Sequence, residues 1–66
     1  PDGLDAYKAI AKDAARFMRP DGFVGLEIGY DQRNDVTAIF EAKGFKCLKS
    51  VKDYGQNDRV LVFALA

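Results

Sequence analysis

One carboxylate stands where charge is expensive. Glu27 lies inside FVGLEI, residues 23–28, a run that is otherwise apolar except for the neutral Gly25. A charge within such a strand costs free energy unless it is paired or hydrogen-bonded. It also stands near the end of the run, just ahead of Gly29, Tyr30, Asp31 and Gln32. Open α/β sheets place their ligands at that rim, outside the carboxyl ends of parallel strands. Two readings follow. Glu27 and Gly29 support the rim of a cleft, with Glu27 bracing an active-site loop, or Glu27 partners a backbone amide or an arginine within the fold. The polar residues after Gly29 lead into a helix, whose N-terminus can receive an anion. Asp31 as an ordinary N-cap explains the same residues.

Other reactive groups are sparse. Cys47 is the single cysteine and there is no histidine to act as its base. Sharing a strand face with Phe45 and Val51, it reads as a small buried thiol rather than a nucleophile. Without histidine or a second cysteine no metal cluster can be assembled in the usual way. Lys8, Lys12 and Arg16 make a row of cations four residues apart, which a solvated helix face explains as well as contact with RNA. Ten basic and ten acidic residues cancel. Affinity built mainly on phosphate neutralisation is therefore not expected, nor is direct nucleic-acid binding. The six glycines do not fall into a G-x-G-x-x-G loop between a strand and a helix. No catalytic, cofactor-binding or metal-binding residue is assigned.

The elements that would position Glu27 can be read from periodicity. Leu4, Tyr7, Ile10, Ala11, Ala14, Phe17 and Met18 recur at steps of three and four, the stripe of an amphipathic helix. Asp2 or Asp5 is placed to cap it, and Pro20 stops it. Residues 19–22, with Pro20 and Gly22, form a tight turn. The run 23–28 suits a strand buried on both faces. Val36, Ile39 and Phe40 are the buried stripe of a second helix, with Gly44 at a left-handed C-cap position. Residues 45–52 form a strand with one wet side: Phe45, Cys47 and Val51 on one face, Lys46, Leu48, Ser50 and Lys52 on the other. Residues 53–58 have turn composition, so Tyr54 and Asn57 are hairpin-loop residues, and residues 60–65 are a second apolar strand.

Connection lengths then set the topology. A short loop makes the last two strands an antiparallel hairpin. The lysine-bearing strand 45–52 belongs at an edge, where charge discourages unwanted pairing. The apolar strand 60–65 goes inside, and strand 23–28 lies on its far side, parallel to 45–52. A right-handed crossover sets the second helix on one face and leaves the first helix for the other. Strand 23–28 is then an edge strand without lysine, proline or bulge to protect it. That implies a missing neighbour, an absent N-terminal half or a second chain.

Sixty-six residues allow one domain at most, here 1–66. A chain of this size buries only about 60% of its unfolded surface, so its core is marginal. The 48% hydrophobic content is that of a globular protein and argues against disorder. No apolar run approaches the ~20 residues of a membrane span. A lone cysteine and no signal peptide fit the cytoplasm. Pro1 in place of methionine suggests processing or a deliberately cut chain.

Three blocks carry a family resemblance: DGLDAYKAIA at 2–11, LEIGYDQ at 26–32 and GFKCLKSVKDYGQNDRV at 44–60. In order and without an obvious gap, they resemble the C-terminus of the HemK/PrmC family of release factor glutamine methyltransferases. Asp21 departs from that pattern, since the family more often has glycine in this turn. The resemblance implies the C-terminal part of a Rossmann-like class I methyltransferase sheet: helix, strand, helix, strand, strand, the last strand antiparallel and inserted between the other two. It implies a parent enzyme that moves a methyl group from S-adenosylmethionine to the glutamine side-chain amide in the Gly-Gly-Gln motif of peptide-chain release factors. The family's glycine-rich cofactor loop and its Asn-Pro-Pro-Tyr motif, which holds the substrate amide, both precede this region. Neither pattern is present here, so the 66 residues are expected to be inactive and to bind no S-adenosylmethionine alone. Their expected partner is the rest of the methyltransferase domain. Two other readings stay open: a class I methyltransferase acting on a nucleobase or ribosomal protein, and a non-catalytic α/β binding module.

Overall fold

A computed structural model describes residues 3–66. It comprises α1 (Asp5–Phe17), β1 (Phe23–Glu27), α2 (Arg33–Glu41), β2 (Phe45–Lys52) and β3 (Asp58–Leu65). Leu4, not an aspartate, is the N-cap of α1. Asp5 sits in the first turn, where its charge favours the positive end of the helix dipole, and Asp2 lies outside the described residues. The chain leaves α1 at Met18, ahead of a proline that bars the helical conformation to Arg19. The expected turn follows, closed by the Gly22 amide donating to the Arg19 carbonyl at 2.9 Å.

The sheet has the expected order, β1-β3-β2, with β3 antiparallel to both neighbours. β1 and β2 therefore run parallel to each other, and β1 is an edge of the described sheet. The helices depart from expectation: α1 packs beside α2 on one face instead of covering the other. Ala11 of α1 joins Val36 and Phe40 of α2 and Leu61 and Phe63 of β3 in one buried cluster. The molecule is 14 Å through its thinnest axis, as two layers require. The cause is the composition of the α1 stripe. Leu4, Tyr7, Ala11, Ala14 and Met18 turn inward, and the small alanines allow close approach to α2. Ile10 and Phe17, seven residues apart, fall on the outer side instead. Phe17 is 72% exposed, with the Arg16 guanidinium 5.0 Å above its ring.

One sheet face is thus covered and the other is open. Val24 and Leu26 face the helices, whereas Phe23, Gly25 and Glu27 face away. β1 is therefore not buried on both faces, and Phe23 is 72% exposed. β3 is split in the same way, with Leu61 and Phe63 buried and Val60, Val62 and Ala64 half-covered.

β2 contains a feature that alternation alone does not give. Cys47 pairs with Phe63, but the next pair is Lys49 with Val62, so Leu48 is an extra residue in a bulge. Every side chain beyond it changes face. Ser50, opposite Leu61, turns to the helix side, and Val51, opposite Val60, turns to the open side, the reverse of strict alternation from Phe45. Cys47 is half-buried, with its Sγ 3.6 Å from the Lys49 carbonyl.

The core itself is aromatic. The Phe40 ring stacks on Phe63 at 4.5 Å between centroids and meets Phe45 edge-on at 5.5 Å. Such pairs add about 0.5–1.5 kcal/mol beyond simple burial. Gly44 has φ +91°, so the expected left-handed residue after α2 is present. It turns the chain directly into β2 and Phe45.

Candidate functional site at the end of the first strand

β1 ends at Glu27, although Ile28 keeps one more bond to β3, its amide donating to the Arg59 carbonyl at 2.8 Å. Residues 29–32 then turn the chain into α2. Asp31 does not cap that helix. Gln32 is the N-cap residue, and its side chain points back to the turn instead of to the helix amides. Gln32 Oε1 accepts the Gly29 amide at 2.7 Å, while the Gln32 amide donates to the Gly29 carbonyl at 3.0 Å. Both polar groups of Gly29 are therefore held by one residue. A Cβ at position 29 would lie 3.0 Å from Gln32 Oε1, so the Gln32 side chain would have to shift from the Gly29 amide to admit it.

Tyr7 closes the arrangement from α1. Its hydroxyl lies 3.1 Å from the Glu27 carbonyl oxygen and 3.2 Å from Gln32 Oε1. A phenol has one proton to donate, so the two acceptors share it. Three elements, α1, β1 and α2, are thereby tied at one point. What the turn presents is Tyr30 and Asp31, both exposed. Tyr30, Asp31, Arg33, Asn34 and Asp58 line an open depression of about 200 Å³ beside it. Glu27 projects from the open sheet face on the other side. Its carboxylate has no hydrogen-bond or ion-pair partner among the described residues, so the arginine or amide expected of a purely internal role is not there.

The chain is 61% identical over 62 residues to a release factor glutamine methyltransferase of Agrobacterium fabrum, an overlap of 94% of this chain and 22% of that protein. It is 46% identical over 61 residues to one from Fusobacterium nucleatum, covering 92% and 17%. A bifunctional methyltransferase of Rickettsia felis is 41% identical over 63 residues, covering 96% and 12%. By sequence, the chain matches the C-terminal part of proteins named release factor glutamine methyltransferase. It spans about a fifth of the length of these relatives or less. No family model matches the chain, and no solved structure matches it significantly.

The strand-to-helix turn leading into α2 spans residues 29–32. It carries a single glycine, whose amide is already taken by Gln32. No step of methyl transfer is assigned to it. Among the described residues no group of three or more acidic, cysteine or histidine side chains is placed to hold a metal ion. No helix there is long and apolar enough to cross a membrane.

The β2–β3 hairpin gathers the other charged cluster of the chain. Asp53 accepts the Asn57 amide at 3.0 Å and the Arg59 Nε at 2.8 Å. The Arg59 hydrogen bond, helped by the Asn57 amide, holds the Asp53 carboxyl below its ordinary value. The Ser50 hydroxyl, and after it Lys52 at 3.3 Å, does the same for Asp58. These bonds fasten the loop. Tyr54 at its tip is fully exposed, as a hairpin-loop residue should be. Lys8, Lys12 and Arg16 lie exposed along α1, with Lys8 3.9 Å from Asp5.

Two residues of the rim were not singled out by sequence pattern. Tyr7 was one member of an apolar stripe, and Gln32 was one of four polar residues. The back-reach of Gln32 to the Gly29 amide has the three-residue span of a capping box, but Gln32 is itself the N-cap of α2, so the bond lies ahead of the helix where no helix-start pattern marks it.

Proposed function

We propose that this segment completes a cytoplasmic enzyme that transfers methyl from S-adenosylmethionine to the glutamine side-chain amide of peptide-chain release factors. What carries the reading is the 61% identity over 94% of the chain to a protein named for that activity. In this reading the cofactor loop and the amide-holding motif belong to the rest of the complete protein, and the 66 residues alone transfer no methyl group. The segment supplies the end of the sheet and one wall of the cleft. Glu27 and Gly29 support its rim: Glu27 through a carboxylate that has no partner among the described residues, Gly29 by fitting under Gln32.

The chemistry asked of such an enzyme is mainly positioning, since an oriented amide nitrogen attacks the sulfonium methyl directly. The test is methylation of purified release factor by the complete protein with S-adenosylmethionine, read by mass spectrometry of the glutamine-bearing peptide. One added methyl on that glutamine is expected. Methylation of a ribosomal protein or nucleobase, with the release factor untouched, would reject the reading. For the segment alone, amide spectra recorded against S-adenosylmethionine should not move. Saturable shifts across residues 27–32 would reject the assignment of the cofactor site to the rest of the protein.

A further inference from the structure

The turn 29–32 is held more tightly than a surface turn needs. Gly29 gives its amide to the Gln32 side chain and its carbonyl to the Gln32 backbone, and the Tyr7 hydroxyl bridges Gln32 to the last carbonyl of β1. Yet the residues at the tip, Tyr30 and Asp31, contribute nothing to the core. Tyr30 is 66% exposed. A large aromatic side chain on a turn whose ordering has already been achieved is well suited to contact a partner, because binding then loses little conformational entropy.

We propose that Tyr7 and Gln32 are positioning residues, which hold the rim turn so that Tyr30 meets the polypeptide acceptor at the mouth of the cleft. The inference rests on the functional reading given above. Tyr7 and Gln32 act through the turn and touch no substrate. Tyr30 makes the contact, and the acceptor it fits is a folded protein surface beside the reacting glutamine. The methyl donor is not contacted. Tyr30 stands on the edge of the depression formed with Arg33, Asn34 and Asp58, so polar groups surround the aromatic anchor as they do at protein interfaces.

The experiment uses the complete methyltransferase and the variants Tyr7→Phe, Gln32→Leu, Gln32→Glu and Tyr30→Ala. Loss of the Tyr7 hydroxyl in Tyr7→Phe, or of the Gln32 oxygen that accepts from both Gly29 and Tyr7 in Gln32→Leu, should raise the KM for release factor by roughly 5- to 20-fold. Tyr30→Ala should raise it by a similar factor or more, with the KM for S-adenosylmethionine unchanged in all. Gln32→Glu keeps an oxygen for the Gly29 amide and should recover most of the loss. Hydrogen exchange at Gly29 should accelerate in Gln32→Leu but not in Tyr30→Ala. A fall in thermal stability with both KM values and kcat intact would show a merely structural role and overturn the proposal. So would unchanged exchange at Gly29 in Gln32→Leu, which would mean there is no clamp. Failure of the unmodified enzyme to methylate release factor would instead overturn the functional reading, and the role assigned to Tyr30 with it; the exchange data would still judge the clamp.

Discussion

Ser50 donates its hydroxyl proton to the Asp58 carboxylate across the hairpin at 2.8 Å. The two meet because two register shifts act together: Leu48, the extra residue in β2, turns Ser50 to the helix-covered face, and the shift between Val51 and Lys52 pairs Lys52 with Asp58 past Arg59 and brings Asp58 to the same face. Without the bulge, alternation from Phe45 would turn Val51 to that face and Ser50 outward. This hydroxyl is the leading cause of the lowered Asp58 carboxyl. In Ser50→Ala the Asp58 titration should therefore move up toward its ordinary value of 3.8. Carboxyl carbon shifts followed by NMR against pH read this directly. An unmoved titration would mean that Lys52 alone sets it.

Acid should weaken the hairpin in a defined window. Asp53 and Asp58 both have folded-state carboxyls held below 3.8. Groups depressed in this way contribute stability above the unfolded value, and the contribution is lost as pH falls through the folded value. The denaturation midpoint should accordingly hold steady near neutrality and decline below about pH 4. Asp53→Asn and Asp58→Asn should each flatten part of that decline. Because the Asp53–Arg59 pair is half-exposed, added salt should also shrink its share. A midpoint that rose on acidification would contradict the assignment.

Two glycines should fail for different reasons when replaced by alanine. Gly44 has φ +91° and open space around a would-be Cβ. Its replacement should cost about 1 kcal/mol from backbone strain alone, and a D-alanine there should be tolerated. Gly29 has no such backbone demand, but a Cβ would strike the Gln32 side chain at 3.0 Å. Gly29→Ala should speed exchange of the rim amides, while Gly44→Ala should leave them alone. Equal effects on the rim would show that the two positions are not independent.

The aromatic stack gives the steepest stability test. Phe40 and Phe63 are fully buried and lie ring on ring at 4.5 Å. Phe40→Ala should cost about 3–5 kcal/mol, from lost transfer energy and the cavity left behind. Thermal unfolding of the complete protein measures it. A loss under about 1 kcal/mol would mean that the site collapses around the deletion.

Strand order was legible because composition and connection length both constrain it. A lysine-bearing strand goes to the edge, a short loop makes a hairpin, and the apolar strand goes between. The placement of α1 was not legible, because a stripe that runs 4, 7, 11, 14, 18 fits a neighbouring helix as well as it fits a sheet. Only the inward Ala11, beside Val36 and Phe40, decides it. The bulge escaped for a related reason: Leu48 is apolar, so no residue type marks it as the extra one. At the end of β1, Glu27 and Gly29 stand out as a charge and a glycine in unusual places. Tyr7 and Gln32 act through contacts 20 and 25 residues apart, a separation that periodicity cannot see.

Glu27 separates a rim role from a fold role most sharply. Its side chain projects from the open face of β1 and meets no cation or donor among the described residues. The fold of the segment therefore has little use for its charge. Its backbone is another matter, since the carbonyl accepts from Tyr7 whatever the side chain. Glu27→Gln changes charge with almost no change of shape, so it leaves that backbone bond intact. On the proposed function, the substitution should lower turnover of the complete protein while thermal stability stays within about 0.5 kcal/mol, the range of ordinary surface changes. Unchanged turnover with lowered stability would place the partner of Glu27 in the structural frame of the complete protein rather than in its active site.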